Sequence, residues 1–173
     1  MTHQESGMRI RANEADTLRL DQHSAYKRLK NVRAVDFVMA KDSKVVFAEF
    51  KTSAPSNIQS KARYIEELFE KFLHSYLLFS SCRFGRRDEL QLPKRVGSLE
   101  LNAAKVHFIL CVKDAPDDHV VTLQNDIQLR MKPVIASVGQ PVSVNVINQR
   151  LGVKHGWLVA DDSVQPSGES PAG

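Results

Sequence analysis

The clearest pattern along the chain is a pair of apolar runs. Ala34-Val35-Asp36-Phe37-Val38-Met39-Ala40 and Val45-Val46-Phe47-Ala48-Glu49-Phe50-Lys51 flank the polar connection Lys41-Asp42-Ser43-Lys44. β-Branched and aromatic runs around a short Asp/Ser turn predict a hairpin. Thr52 to Asn57 then supply turn and helix-capping residues. From there Ile58, Ala62, Ile65, Phe69, Phe72, Tyr76 and Phe79 recur at spacings of four and three, which predicts one long helix. Its opposite face would carry Lys61, Arg63, Glu66, Glu67, Glu70 and Lys71. Residues 104–112 form the most apolar run and suit a central strand buried on both faces. Asp114 to Asp118 favour the start of a helix through capping and the helix dipole, and Val120 to Val138 read as its body, with Pro133 kinking or ending it. After the stop Gly139-Gln140-Pro141, residues 142–148 alternate as a last strand.

The ends are less patterned. Residues 1–8 are polar without periodicity and are expected to be disordered. Thr17 to Asp21 alternate like a strand, and His23 to Leu29 suit either a helical turn or an extended continuation. Asp161 to Gly173 are rich in Ser, Pro, Gly and acid, as a flexible tail would be. The order of elements is that of an α/β domain over residues 9–160, with a mixed sheet, a central hairpin and flanking helices.

Bulk properties narrow the function classes. A chain of 173 residues that is 42% hydrophobic and 25% charged is ordinary for one globular domain. No apolar run approaches the roughly 20 residues needed to span a bilayer, and Met1 to Glu5 begin no apolar leader, so a cytoplasmic protein without a membrane partner is expected. Cys82 and Cys111 are the only cysteines, too few for a disulfide scaffold or a structural zinc site. His74 and His107 lack a partner at metal-ligand spacing and read as core or surface residues. The net charge of +4 permits contact with a polyanion. The sequence holds no internal repeat, phosphate-binding glycine loop or nucleophile elbow.

The hairpin carries the candidate chemistry. If it is symmetric about Asp42 and Ser43, Asp36 stands opposite Glu49, and period-two alternation puts Lys51 on the same face. Directly opposed like charges destabilise a sheet, so a proton or a cation must relieve them, and a divalent metal would. An Asp followed by Glu-x-Lys at the end of the next strand resembles the signature of the PD-(D/E)xK, or restriction-endonuclease-like, nuclease superfamily. The resemblance covers roughly residues 14–113, with Val35 in the place of the eponymous Pro and with Asp42-Ser43-Lys44 as a second acidic-x-Lys triplet in the turn.

The resemblance implies a restriction-endonuclease-like fold and Mg²⁺- or Mn²⁺-dependent hydrolysis of nucleic acid, DNA foremost. Asp36, Glu49 and the main-chain carbonyl of Phe50 would be the metal ligands. Lys51 would orient the attacking water and stabilise charge on the phosphate. A further carboxylate ahead of the Asp strand is expected, with Glu14 and Asp21 as candidates. The helix after the Glu-x-Lys strand would support the active face from behind. Duplex cleavage by enzymes of this kind often needs two copies, so a homodimer or larger complex is an expected partner.

Other readings remain open from the residues alone. Outward Glu and Lys suit an ordinary solvated hairpin face. Arg83, Arg86, Arg87, Lys94 and Arg95 cluster around Gly85 and Pro93, either as a phosphate-holding loop or as a solubilising one near a helix C-terminus. The same fold could serve as a non-catalytic module for nucleic acid or protein, or be purely structural.

Overall fold

The computed structural model describes residues 2–100, 104–139 and 141–160. The tail expected over 161–173 lies outside the described residues. The elements in order are β1 (Thr2–Glu5), β2 (Met8–Arg11), a 3-10 turn (Glu14–Asp16), β3 (Thr17–Arg19), α1 (Ser24–Lys27), β4 (Phe37–Lys41), β5 (Lys44–Lys51), α2 (Ile58–Arg83), α3 (Lys94–Ser98), β6 (Lys105–Val112), α4 (Asp117–Val138), β7 (Val142–Asn148) and α5 (Gln149–Lys154).

Five strands form a mixed sheet in the order β3-β4-β5-β6-β7. β3 with β4 and β4 with β5 pair antiparallel, whereas β5 with β6 and β6 with β7 pair in parallel. β5 is therefore the middle strand. The hairpin register is the symmetric one, with Lys41 opposite Lys44 and Phe37 opposite Ala48. Asp42 and Ser43 at its tip both have positive φ, 47° and 59°, the two-residue geometry that matches strand twist and usually selects Asn or Gly.

The sheet separates two cores. On one face Phe47, Phe72, Phe79, Phe108, Leu68, Ile127 and Met131 pack α2 and α4 onto the strands. Phe47 stacks against Phe108 at 5.3 Å and meets Phe79 edge-on at 5.7 Å. On the other face Met8, Ile10, Phe37, Val46, Phe50, Cys111 and Leu158 form a second cluster beneath β2 and α5. Asn57 starts α2 with a reciprocal capping box to Ser60, and Gly139 closes α4 in the left-handed conformation at φ 67°.

Four expectations need correction. Residues 2–8 are not disordered: β1 and β2 pair antiparallel through a turn at Ser6 and Gly7, because Met8 and Ile10, both about fully buried, anchor them under the sheet. Ile58 and Ala62 do not belong to the core stripe but are exposed, Ile58 at 86%, because the buried part of α2 begins at Leu68. α4 reaches Val138 as expected but starts at Asp117, ahead of Val120, and does not end at Pro133. Finally, α2 does not lie behind the acidic face. It covers the same face as Phe47 and Glu49, and this fourth difference defines the site.

Candidate active site

Asp36 immediately precedes β4 and Glu49 lies near the end of β5, so antiparallel pairing brings them to one end of the sheet. Both are buried, at 7% and 1% exposure. The backbone explains how Asp36 is held. Beyond Phe37 the ladder stops, and the Phe50 N–H that a further strand residue would take instead donates to Asp36 Oδ2 at 2.7 Å. The Asp36 carbonyl accepts from Leu20 N at 3.1 Å, and Ser75 on α2 fixes the preceding turn by accepting from Val35 N at 2.9 Å.

Glu49 is held from α2. Lys71 Nζ donates to Glu49 Oε1 at 2.5 Å, and Lys51 Nζ stands 3.1 Å from the same oxygen. Lys51 also reaches Glu67 Oε1 at 3.3 Å. Arg33 closes the network, 3.0 Å from Glu70 and 3.8 Å from Glu67. Glu49 Oε2 is buried without a hydrogen-bond partner, and so are Tyr64 Oη and Asp21 Oδ1.

The electrostatics follow from this crowding. Burial, and then the neighbouring Glu49, push Asp36 up to about 7. Burial also raises Glu49, although Lys71 and Lys51 pull the other way. Burial works against the charge on Lys51, but Glu49 and Glu67 outweigh it and hold the ammonium above its ordinary value. Tyr64 is pushed upward by burial and by the Glu49 and Glu67 charges. The pair of carboxylates is thus poised to hold a proton near neutrality, with two ammonium groups against one oxygen and the other oxygen free. Perturbed titration of this kind, from burial plus a specific charge partner, is a mark of functional sites.

The other predicted residues fall in different places. Asp21 sits two residues after β3, whose Arg19 pairs with Phe37, and it feels Lys71 electrostatically. It therefore borders the site. Glu14 does not. It is exposed in the 3-10 turn ahead of Thr17, which pairs with Met39 further along β4. The Phe50 carbonyl accepts from Ser6 Oγ at 2.8 Å, so the tip of the β1–β2 hairpin closes over the end of β5. Of the basic cluster, Arg83 ends α2 twelve residues past Lys71, about 18 Å along the axis. Arg83 donates to the Leu99 carbonyl at 2.8 Å, Arg87 pairs with Glu89 at 3.1 Å and Arg95 with Asp16 at 3.2 Å. Lys94 opens α3 and Arg86 lies in the exposed loop. This cluster belongs to the far end of the molecule.

Sequence reasoning misses Lys71, Glu67, Tyr64 and Ser6. A signal for three of them exists in α2: Tyr64, Glu67 and Lys71 follow one another at spacings of three and four, a second stripe beside the apolar one. That stripe, flanking the apolar one, faces the end of the middle strand β5, where Lys71 meets Glu49. Among the described residues no helix is long and apolar enough to cross a membrane, and no group of three or more His, Cys, Asp or Glu is arranged to hold a metal. Compared with family models, curated proteins and solved structures, the chain finds no match.

Proposed function

We propose that the protein hydrolyses phosphodiester bonds in nucleic acid, DNA foremost, on a restriction-endonuclease-like fold with Mg²⁺ or Mn²⁺ held at Asp36 and Glu49. One observation carries this reading: two buried carboxylates share one end of the sheet with a lysine 3.1 Å away, and one Glu49 oxygen is left with no partner. A structural ion pair would satisfy both oxygens. The donor set suits a hard cation, because every candidate ligand is oxygen: Asp36, Glu49 and the Phe50 carbonyl, which keeps a lone pair beside its bond from Ser6. A bound ion would acidify a water and neutralise phosphate charge. Lys51, anchored between Glu49 and Glu67, would orient that water and stabilise charge on the phosphate as a flexible point charge. Asp21 would extend the acidic rim.

A second reading is favoured by Lys71. Its ammonium already balances Glu49 at 2.5 Å, so the same fold could hold nucleic acid or a protein without cutting. Cleavage of single-stranded DNA, duplex DNA and RNA in Mg²⁺ and in Mn²⁺ separates the two. The proposal expects cleavage that disappears in both Lys51→Ala and Asp36→Ala while circular dichroism stays unchanged. An inert wild-type protein, or activity surviving in both variants, overturns it.

A further inference from the structure

The hairpin tip lies at the opposite end of β5 from Glu49, five residues or about 17 Å away, and on the other face of the sheet. There Trp157, the only tryptophan of the chain, lines two adjacent cavities. One, of about 310 Å³, is walled by Lys41, Lys44, His107, Asn145, His155 and Trp157. The other, of about 360 Å³, is walled by Arg11, Asn13, Lys41, Arg95 and Trp157. Each is within the size range of ligand pockets.

The chemistry of these walls is specific. Lys41 Nζ stands 3.7 Å from the centre of the Trp157 ring, and the His107 ring meets the indole edge-on at 6.1 Å. Asn145 Oδ1 lies 2.8 Å from His107 Nε2. His107 Nδ1 is buried without a partner. Arg11, Lys41, Lys44 and Arg95 are four cations, against Asp16 and Asp42 as the carboxylates along the same walls. An indole topped by a lysine ammonium, with further cations along the cavity walls, is suited to a planar heterocycle that carries a phosphate.

We infer that this surface binds single-stranded nucleic acid, with a base displacing the Lys41 ammonium from Trp157 and the connecting phosphates meeting Lys41, Lys44 and Arg11, and Arg95 beside its partner Asp16. Base–aromatic stacking flanked by cations is how sequence-tolerant strand binding is built. It also accounts for the far-end position of Arg95, which shares a cavity with Trp157 rather than with Glu49. The inference rests on the proposed function only in taking nucleic acid as the ligand.

Because Trp157 is unique, its fluorescence reports this surface alone. A titration with oligothymidylate in EDTA, where metal-dependent cleavage is silent, should give saturable quenching with a steep salt dependence. Lys44→Glu, a change at the half-buried hairpin tip that spares the core, should weaken binding about tenfold or more, and Trp157→Leu should do the same when binding is read by anisotropy of a labelled strand. Heparin, a polyanion without bases, should quench little. Absent quenching, equal quenching by heparin, or unchanged affinity in both variants overturns the inference. Cleavage that persists without this binding sinks only the surface, and binding without cleavage sinks only the nuclease reading.

Discussion

Replacing Asp36 with Asn should stabilise the protein at neutral and alkaline pH. An ordinary Asp titrates near 3.8, whereas burial and Glu49 raise Asp36 to about 7. The sign follows from proton counts. Well below about pH 4 the folded and unfolded states both hold this proton, and the carboxyl exerts no penalty. Between about 4 and 7 the unfolded chain has released the proton while the folded protein keeps it, so stability falls as pH rises, and the full loss is reached above about 7. A gap of roughly three units corresponds to about 4 kcal/mol. Because the proton is shared with Glu49 and eased by Lys71, the realised value should be about 2–4 kcal/mol. Asn removes the charge yet still offers an oxygen to the Phe50 N–H that now bonds Asp36 at 2.7 Å. Urea denaturation across that pH range should therefore show a wild-type midpoint that declines toward pH 8 and an Asp36→Asn midpoint that declines far less. Identical slopes, or a variant less stable than wild type at pH 8, would refute the reasoning.

Four other changes should behave predictably. Lys71→Met strands Glu49 with one cation instead of two and should cost about 3–5 kcal/mol at pH 8, with Glu49→Gln in the same background restoring at least half; urea midpoints give the coupling. Saturating Mn²⁺ should raise the melting temperature of the wild type by the equivalent of about 2.7 kcal/mol at a hundred times Kd, and should leave Asp36→Asn unmoved in calorimetry. Ser43→Gly relieves a positive φ of 59° at the hairpin tip and should add about 0.5–1 kcal/mol of stability by chemical denaturation. Gly152→Ala would place a Cβ 2.7 Å from Leu158 Cδ1 and should lower stability by about 1–3 kcal/mol, seen as an earlier thermal transition.

The hairpin, the long helix, the apolar strand at 105–112 and the last strand are legible in the sequence because each carries an unbroken period of its own. The opposition of Asp36 and Glu49 follows from counting outward from the turn, since a two-residue loop fixes register. The N-terminal hairpin escapes notice because β1 offers only Thr, His, Gln and Glu, and its stability comes from Met8 and Ile10 meeting a cluster made by distant residues. Lys71 escapes for a related reason. On a helical wheel it lies next to the apolar stripe, and only the tilt of α2 across β5 decides whether that flank meets solvent or Glu49. Trp157 and Lys41 are 116 positions apart in the sequence, and nothing local to either announces their contact.

The buried polar groups show where the fold departs from a purely structural design. Asp36, Glu49, Ser75 and Asn148 are the buried polar side chains among the described residues. Asp36, Glu49 and Asn148 stand at the end of the sheet where its parallel strands finish, and Ser75 braces the turn into Asp36. Ligands bind open α/β sheets at the carboxyl ends of their strands. Ser75 accepts its hydrogen bond, and Asn148 uses both ends of its amide, donating to Ala115 and Asp117 and accepting from Leu151. Those two are satisfied and structural. Glu49 differs: one oxygen takes two ammonium groups and the other takes nothing, in a place where leaving a charged acceptor unpaired is costly. Tyr64 Oη and Asp21 Oδ1, which feel the charges of Glu49 and Lys71, are likewise left without a partner, and this gathering of unmet polar atoms around the free Glu49 oxygen argues for a site that awaits a ligand.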